Sequence, residues 1–214
     1  MKNKDITASL RRYIEETVLP QYDAFDAAHG RSHAEAVAAR ALALAGHYPA
    51  LDRRVLYVAA FCHDLGLAEG REHHHEASAR LIRADAGLRR WFSEEEVALI
   101  ADAAEDHRAS LSREPRTLYG SIVAEADRLI DPDLTLRRTV QYGLAHYARL
   151  GEEQQYERFR RHLRDKYGPG GYLRLWIPES PNAARLAELR RLMADEAGLR
   201  ARFVRLYAEE TGRL

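Results

Sequence analysis

Histidine and aspartate side chains of the kind that hold metal ions recur along this chain. His33 comes first, His63 and Asp64 follow as an adjacent pair, and His107 and Asp127 come later, each in or beside an amphipathic run with helical spacing. Imidazole nitrogens and carboxylate oxygens from separate helices can together hold a divalent metal ion inside an all-helical protein. The order of these residues therefore predicts a metal-binding site.

The adjacent His-Asp pair stands near the end of an apolar run, Phe61-Cys62-His63-Asp64-Leu65-Gly66. Neighbouring residues on a helix point about 100° apart, so both side chains can touch one ion only close to the helix end. His33 and Asp127 are the natural candidates to complete the shell. A carboxylate can bridge two metals or hold a water on one of them, so Asp64 is best suited to lie between two ions. We expect Cys62 to be a small buried side chain and not a ligand.

The composition excludes several classes of protein. With 214 residues, 46% of them hydrophobic, the chain can bury one substantial core, and its single cysteine excludes an intrachain disulfide. Basic and acidic residues balance at 33 each, which gives no reason to expect a nucleic-acid polymer or a membrane as partner. The first residues, Met1 to Leu19, lack the apolar run of a signal peptide, and no stretch reaches the roughly 18 apolar residues of a membrane span. We expect a cytoplasmic protein.

The elements that must position these side chains are helices. Apolar residues at three-to-four spacing predict an all-α, single-domain helical bundle over residues 1–214. The first helix is expected to stop before Pro20, Gly66 to cap the helix that carries His63, and Ser93 with Glu96 to form a capping box. A short extended segment is plausible only over Tyr172 to Ile177.

The order His33, His63-Asp64 and Asp127 resembles the HD superfamily of metal-dependent phosphohydrolases. The local contexts agree: His29-Gly30-Arg31-Ser32-His33 leads into a helix, Ala59 to Gly66 ends one, and Glu125 to Leu129 lies inside another. The resemblance covers residues 22–131, which would form an HD core of helices. Residues 132–214 would then be a family-specific helical extension packed on that core.

Members of this family that bind two metals add one histidine after the His-Asp pair and another before the final aspartate. His74 fits the first position, although spacing does not decide between it and its neighbours His73 and His75; His107 fits the second, with a helix C-cap as its alternative role. The resemblance implies one or two divalent ions, of manganese, iron, cobalt, nickel or magnesium. The implied metal ligands are His33, His63, Asp64, His74, His107 and Asp127.

The reaction that the resemblance implies is hydrolysis of a nucleotide or another small phosphate ester by a metal-activated water. The expected catalytic residues are Asp64 and His107, and the expected substrate-binding cations are Arg31, Arg71 and Arg108. Many family members carry a lysine soon after the His-Asp-x-Gly segment, whereas Gly66 is followed here by Leu67-Ala68-Glu69-Gly70. No particular substrate therefore carries over. The expected partner is a small phosphorylated substrate, and a homodimer is allowed for.

Two other functions stay open. Some HD proteins with the additional histidines hold two irons and oxidise carbon substrates, so a di-iron oxygenase is the first alternative. The second is an HD protein that binds metal or ligand without turnover. Metal analysis, oxygen consumption and phosphate release would distinguish these functions.

Overall fold

The fold is built from helices. The computed structural model describes residues 5–26, 29–111 and 113–212, and these contain ten α-helices and no β-strand. The predicted all-α class is confirmed. None of the described helices is long and apolar enough to span a membrane.

The chain divides into two compact units, the first comprising residues 1–128 and 176–180 and the second residues 129–175 and 181–214. The prediction of one domain, with a core over 22–131 and an extension over 132–214, stays a prediction. The helices of the first unit are α1 (Ala8–Tyr13), α2 (Arg31–Leu44), α3 (Arg53–Cys62), α4 (His74–Ala84), α5 (Glu94–Glu105) and α6 (Leu118–Asp127). Those of the second are α7 (Pro132–His146), α8 (Glu152–Tyr167), α9 (Asn182–Ala194) and α10 (Glu196–Thr211).

The N-terminal helical stretch does not run as one α-helix to the residue before Pro20. After α1 the chain widens into a π-turn over Ile14–Val18, where the Leu19 N–H donates to the Ile14 carbonyl, and continues as a 3₁₀ turn over Leu19–Ala24. Proline has no N–H, and in an α-helix its ring clashes with the carbonyl four residues earlier. A wider turn just before Pro20 is a known way to absorb this clash.

Helix α3 lies at the centre of the first unit. Every residue from Val55 to Cys62 is buried, since this run is apolar on all sides. Cys62 is buried as expected, and burial raises the pKa of its thiol. No charged residue lies between Val55 and Cys62, and the C-terminal end of the helix places His63 and Asp64 in the interior.

The role predicted for Gly66 is wrong. Helix α3 ends at Cys62, and Gly66 lies in the following 3₁₀ turn, Leu65–Glu69, where its N–H donates to Ser78 Oγ at 2.9 Å. A Cβ at this position would lie 2.0 Å from the His74 carbonyl oxygen and 2.6 Å from the Ser78 nitrogen. Glycine is needed here because the backbone of α4 approaches so closely, not because a helix ends.

The predicted capping box at the start of α5 is confirmed. The Glu96 N–H donates to Ser93 Oγ at 3.3 Å, and the Ser93 N–H donates to Glu96 Oε2 at 2.9 Å. Two N–H groups without helical partners are satisfied in this way. The box fixes where α5 begins and so where its other end brings His107.

The segment predicted to be extended forms no strand in the described part of the chain. Its last two residues belong to the first unit, where the Trp176 N–H donates to Glu125 Oε2 at 2.8 Å. Just after the segment, Glu179 Oε2 accepts from the Tyr48 hydroxyl at 2.5 Å. Glu125 is buried, so the bond from Trp176 satisfies part of its hydrogen-bonding capacity inside the unit. The second unit has its own aromatic core, in which Phe159 and Phe203 lie 5.2 Å apart.

Candidate metal centre

Five separate elements deliver the six predicted ligands to one region of the first unit. His33 lies in the first turn of α2, and His63 and Asp64 follow the end of α3. His74 begins α4, His107 follows α5, and Asp127 ends α6. Side chains near helix ends can converge without competing for one helix face. All six belong to the same unit.

The first cluster joins four of these side chains. His33 Nε2 lies 3.2 Å from His63 Nε2, 3.2 Å from Asp127 Oδ1 and 3.5 Å from Asp64 Oδ2. His63 Nε2 lies 3.2 Å from Asp64 Oδ2 and 3.8 Å from Asp127 Oδ1. Nitrogen and oxygen ligands about 2.0–2.2 Å from an ion lie roughly 3.0–3.6 Å from one another. His33, His63 and Asp64 therefore have the spacing of a metal shell, and Asp127 Oδ1 lies beside the two histidines.

The second cluster uses the other oxygen of Asp64. His74 Nε2 and His107 Nε2 lie 3.0 Å apart, and they lie 3.6 and 3.5 Å from Asp64 Oδ1. Three protein donors leave coordination positions open, as catalytic sites require. Asp64 thus presents one oxygen to each cluster, which is the arrangement expected of a carboxylate that bridges two ions.

Backbone carbonyls orient the histidine rings. The Nδ1 atoms of His63, His74 and His107 lie 2.8, 2.8 and 2.5 Å from the carbonyl oxygens of Ala60, Arg71 and Ala104. A carbonyl can only accept, so in each neutral ring Nδ1 carries the proton and Nε2 keeps a lone pair.

The Nε2 atoms of His74 and His107 have room for a cation beside them. When both rings are neutral, the Nε2 atoms of His74 and His107 both carry lone pairs, so neither ring can donate to the other across the 3.0 Å that separates them. A divalent cation between the two nitrogens and Asp64 would satisfy all three donors. The residues present therefore fit a pair of metal ions.

The charges of the site agree with metal binding. Burial acts to raise the pKa of Asp64, but the nearby His63, His107 and His33 outweigh it and hold the pKa well below its usual range. Asp127 behaves likewise, chiefly through His33 after burial. Burial and the neighbouring His107 lower the pKa of His74 to about 4, which keeps its imidazole neutral at neutral pH. Anionic carboxylates and neutral imidazoles are the forms that bind metals.

The pKa values of His33 and His107 are raised, unlike that of His74. Burial lowers the pKa of His33, but its contacts with Asp127 and Asp64 outweigh burial and raise it to about 9. Burial also acts to lower the pKa of His107, but the contact with Asp64 outweighs burial, so the pKa of His107 is raised. Each proton balances carboxylate charge that a metal ion would otherwise balance. Protons and metal ions therefore compete for these two rings.

Among three consecutive histidines, the structure brings only His74 to the clusters. His73 is exposed beside Glu76, with 3.6 Å between Nδ1 and Oε1. His75 is buried, and its Nδ1 accepts from Arg108 Nη1 at 3.4 Å. The rings thus point to different surroundings although the residues are adjacent.

The three arginines predicted to bind substrate are placed differently from one another. Arg31 forms a two-bond ion pair with Asp23, and Arg108 donates to the Glu72 carbonyl as well as to His75. The Arg71 side chain is exposed, and within the described residues its guanidinium has no hydrogen bond or ion pair. Their roles in substrate binding stay predictions.

Two other arginines approach the final aspartate. Arg40 Nε donates to the Ala126 carbonyl at 2.6 Å, and Arg128 is buried with no hydrogen-bond partner for Nε or Nη1 among the described residues. Burial lowers the pKa of both guanidinium groups, and the charge of Asp127 acts to raise it. Sequence offered one signal for each: Arg128 directly follows Asp127, and Arg40 lies two helical turns after His33.

The part of the chain that carries the candidate ligands is similar to one known protein family. Residues 30–130 match a family model described as the HD domain. This range contains all six predicted ligands and the helices that carry them, α2 to α6. No curated protein and no solved structure matches the chain.

Proposed function

This chain belongs to the HD superfamily, and from that premise we propose that it is a metal-dependent phosphohydrolase acting on a nucleotide or another small phosphate ester. The observation that carries the proposal is the position of Asp64. Its Oδ2 lies 3.5 and 3.2 Å from the Nε2 atoms of His33 and His63. Its Oδ1 lies 3.6 and 3.5 Å from those of His74 and His107. A paired metal site of this kind suits displacement at phosphorus, because both the attacking and the leaving oxygen gain negative charge that must be stabilised.

Bound divalent cations would supply Lewis acidity and lower the pKa of water towards neutrality. The chain's own residues hold and orient the reactants. Asp64 accepts a hydrogen bond from the attacking water, and His107, with Nε2 3.5 Å from Asp64 Oδ1, would help to hold the cation beside that carboxylate. The water oxygen forms a bond to phosphorus as the ester oxygen leaves, and the proton released by the water passes to the leaving group.

Access to the site comes through the less buried ligands. The side chains of His33, His74 and Asp127 are 20%, 13% and 25% exposed, whereas that of His63 is fully buried. Substrate therefore approaches along the exposed three. We assign Arg71 to the substrate phosphate, because its exposed guanidinium is not engaged by the described residues and its carbonyl orients His74.

The test uses purified protein that has been stripped with a chelator and reloaded with manganese, iron, cobalt, nickel or magnesium. A panel of nucleotides and phosphate esters is screened for release of phosphate or pyrophosphate. We expect release with at least one metal, and its loss in Asp64→Ala. Asp133→Ala, an exposed carboxylate of the second unit, is the matched control and should keep full activity. Full metal occupancy with no release on any substrate would contradict the proposal and favour a non-catalytic metal-binding protein.

A di-iron oxygenase is the second candidate. The donor set favours it to the extent that four imidazoles and two carboxylates, one of them shared, also suit two irons. Protein purified without oxygen would then contain two irons per chain and consume oxygen in the presence of a carbon substrate. Phosphate release without oxygen consumption would exclude this candidate.

A further inference from the structure

A cavity of about 520 Å³ lies wholly within the second unit, between α8 and α9. Helix α8 contributes Glu157, Arg160, Arg161 and Arg164, which are spaced at i, i+3, i+4 and i+7 and so share one helix face. None of the residues that line the cavity is a ligand of the metal clusters. The cavity is therefore a separate feature from the candidate metal centre.

Four arginines and one glutamate give this cavity a positive lining. The glutamate is already paired, since Arg160 Nη1 lies 3.4 Å from Glu157 Oε1. Arg190 of α9 is held in position, with Nε donating to the Tyr167 carbonyl at 2.7 Å and Nη2 to the Gly168 carbonyl at 3.2 Å. Its remaining N–H donors are free to bind a ligand. Because the guanidinium is already oriented, binding loses little side-chain entropy.

Two of the arginines have little compensation for their charge. Arg161 makes no hydrogen bond or ion pair with any described residue, and Arg164 has only a 3.5 Å contact with the exposed carboxylate of Asp165. Guanidinium groups bind phosphate through paired N–H donors. An arginine-rich face with spare donors therefore favours an anion.

The remaining surface of the cavity is apolar. It is formed by Leu163, Met193 and Leu199, with Pro169 and Ala194 beside them. The volume falls within the range of about 300–1,000 Å³ that is typical of small-molecule sites. A concave surface of this size favours a small molecule over a membrane surface or a polymer.

We propose that this cavity binds a small organic phosphate, with the phosphate group on Arg161, Arg164 and Arg190 and an apolar body against Met193. The combination of spare guanidinium donors with an apolar wall in one cavity of the second unit is the basis of this proposal. It does not depend on the reaction at the metal centre.

The sequence supplies a local probe for the test. Its only methionines are Met1 and Met193, and Met193 lines the cavity. Full-length protein labelled with ¹³C in the methionine methyl groups is titrated with phenylphosphonate, a stable aryl phosphonate. We expect the Met193 methyl resonance to shift saturably at submillimolar ligand. Inorganic phosphate and benzyl alcohol, which each carry half of the recognised chemistry, should bind more weakly.

The variants identify the cations involved. Arg161→Gln is expected to weaken binding about tenfold, since it removes a charge-assisted contact. Arg138→Gln is the matched control, because Arg138 is exposed in the same unit and does not line the cavity. Asp64→Ala should bind phenylphosphonate as the parent protein does, which separates this site from the metal centre. Unchanged Met193 shifts, equal shifts with benzyl alcohol, or equal affinity in a folded Arg161→Gln protein would each overturn the proposal.

Discussion

Asp64 connects the two clusters because its carboxylate oxygens face different histidines. Oδ2 lies 3.2 Å from His63 Nε2, and Oδ1 lies 3.5 Å from His107 Nε2. An amide in place of the carboxylate would offer one oxygen and one donor group, so it could serve one cluster at most. We therefore expect loss of Asp64 to impair metal binding more than loss of any single histidine.

His74 and His75 provide a test at the level of single residues. We expect His74→Ala to lose the second metal ion and keep the first, since of these two residues His74 is the one whose Nε2 lies 3.6 Å from Asp64 Oδ1. His75→Ala should keep both ions, because its ring contacts Arg108 instead. Metal content per chain, measured after equilibration with manganese and removal of free metal, distinguishes the two variants. Equal loss in both would show that the ring positions described here are wrong.

Gly66 tests the close approach between α4 and the turn that follows α3. In Gly66→Ala the added Cβ would meet backbone atoms of His74 and Ser78, which cannot rotate away. Overpacking of this kind costs about 1–3 kcal/mol and sometimes more. We expect a clear fall in the free energy of unfolding, measured by urea denaturation.

The matched control for this substitution is Gly46→Ala. A Cβ at Gly46 would have no atom within 4 Å, and the residue does not have a positive φ. Replacing glycine at a compatible position stabilises a protein by about 0.4–1 kcal/mol. Equal stability of the two variants would mean that the approach of α4 is looser than described.

Arg108 links the start of α4 to the segment that follows α5. Its guanidinium donates to the Glu72 carbonyl and approaches His75 Nδ1, and these two residues flank His74 on either side. The residue before it, His107, belongs to the second cluster. Arg108 thus helps to hold the two histidines of that cluster at a fixed separation.

Removal of this link should weaken the second metal site. Loss of a direct outer contact to a metal ligand typically costs about 10–100-fold in affinity. Because Arg108 contacts the neighbours of His74 and not the ligand itself, we expect Arg108→Ala to lie at the lower end of this range for the weaker-bound manganese ion in calorimetric titration. Arg71→Ala is the control, because the Arg71 carbonyl that accepts from His74 is retained. A loss of second-site affinity in Arg71→Ala equal to that in Arg108→Ala would argue against the link.

The sequence predicted those features that depend on local pattern. Helical periodicity indicated the all-α class, and Ser93 with Glu96 indicated where α5 begins, because both signals lie within a few residues. Gly66 was misread since its reason lies in α4, twelve residues away in the Ser78 contact. The Asp23 partner of Arg31 and the contact between Trp176 and Glu125 are likewise tertiary features that no local pattern encodes.

The candidate metal ligands lie in or beside five helices of the first unit, α2 to α6, so a bound cation would tie these helices together. Without a cation, either the Nε2 lone pairs of neutral His74 and His107 face each other at 3.0 Å, or protons on His33 and His107 must balance the charge of the carboxylates. Metal binding to the folded state should therefore stabilise it. A ligand at a hundredfold excess over its dissociation constant contributes about 2.7 kcal/mol.

This linkage predicts a rise in melting temperature when manganese is added to chelator-treated protein at neutral pH. The rise should depend on manganese concentration and be smaller at acidic pH, because protons compete for His33 and His107. His63→Ala, which removes a fully buried ligand of the first cluster, should show little of it. An equal rise in that variant would mean that manganese acts elsewhere on the protein.

The most direct test is the anomalous difference map of a crystal of the manganese-loaded protein. We expect two peaks on either side of Asp64, one bound by His33, His63 and Asp127 and the other by His74 and His107. Each peak should lie about 2.0–2.4 Å from its ligand atoms. A map from fully loaded protein with no peak bound to Asp64 would show that this residue does not bridge two metal ions.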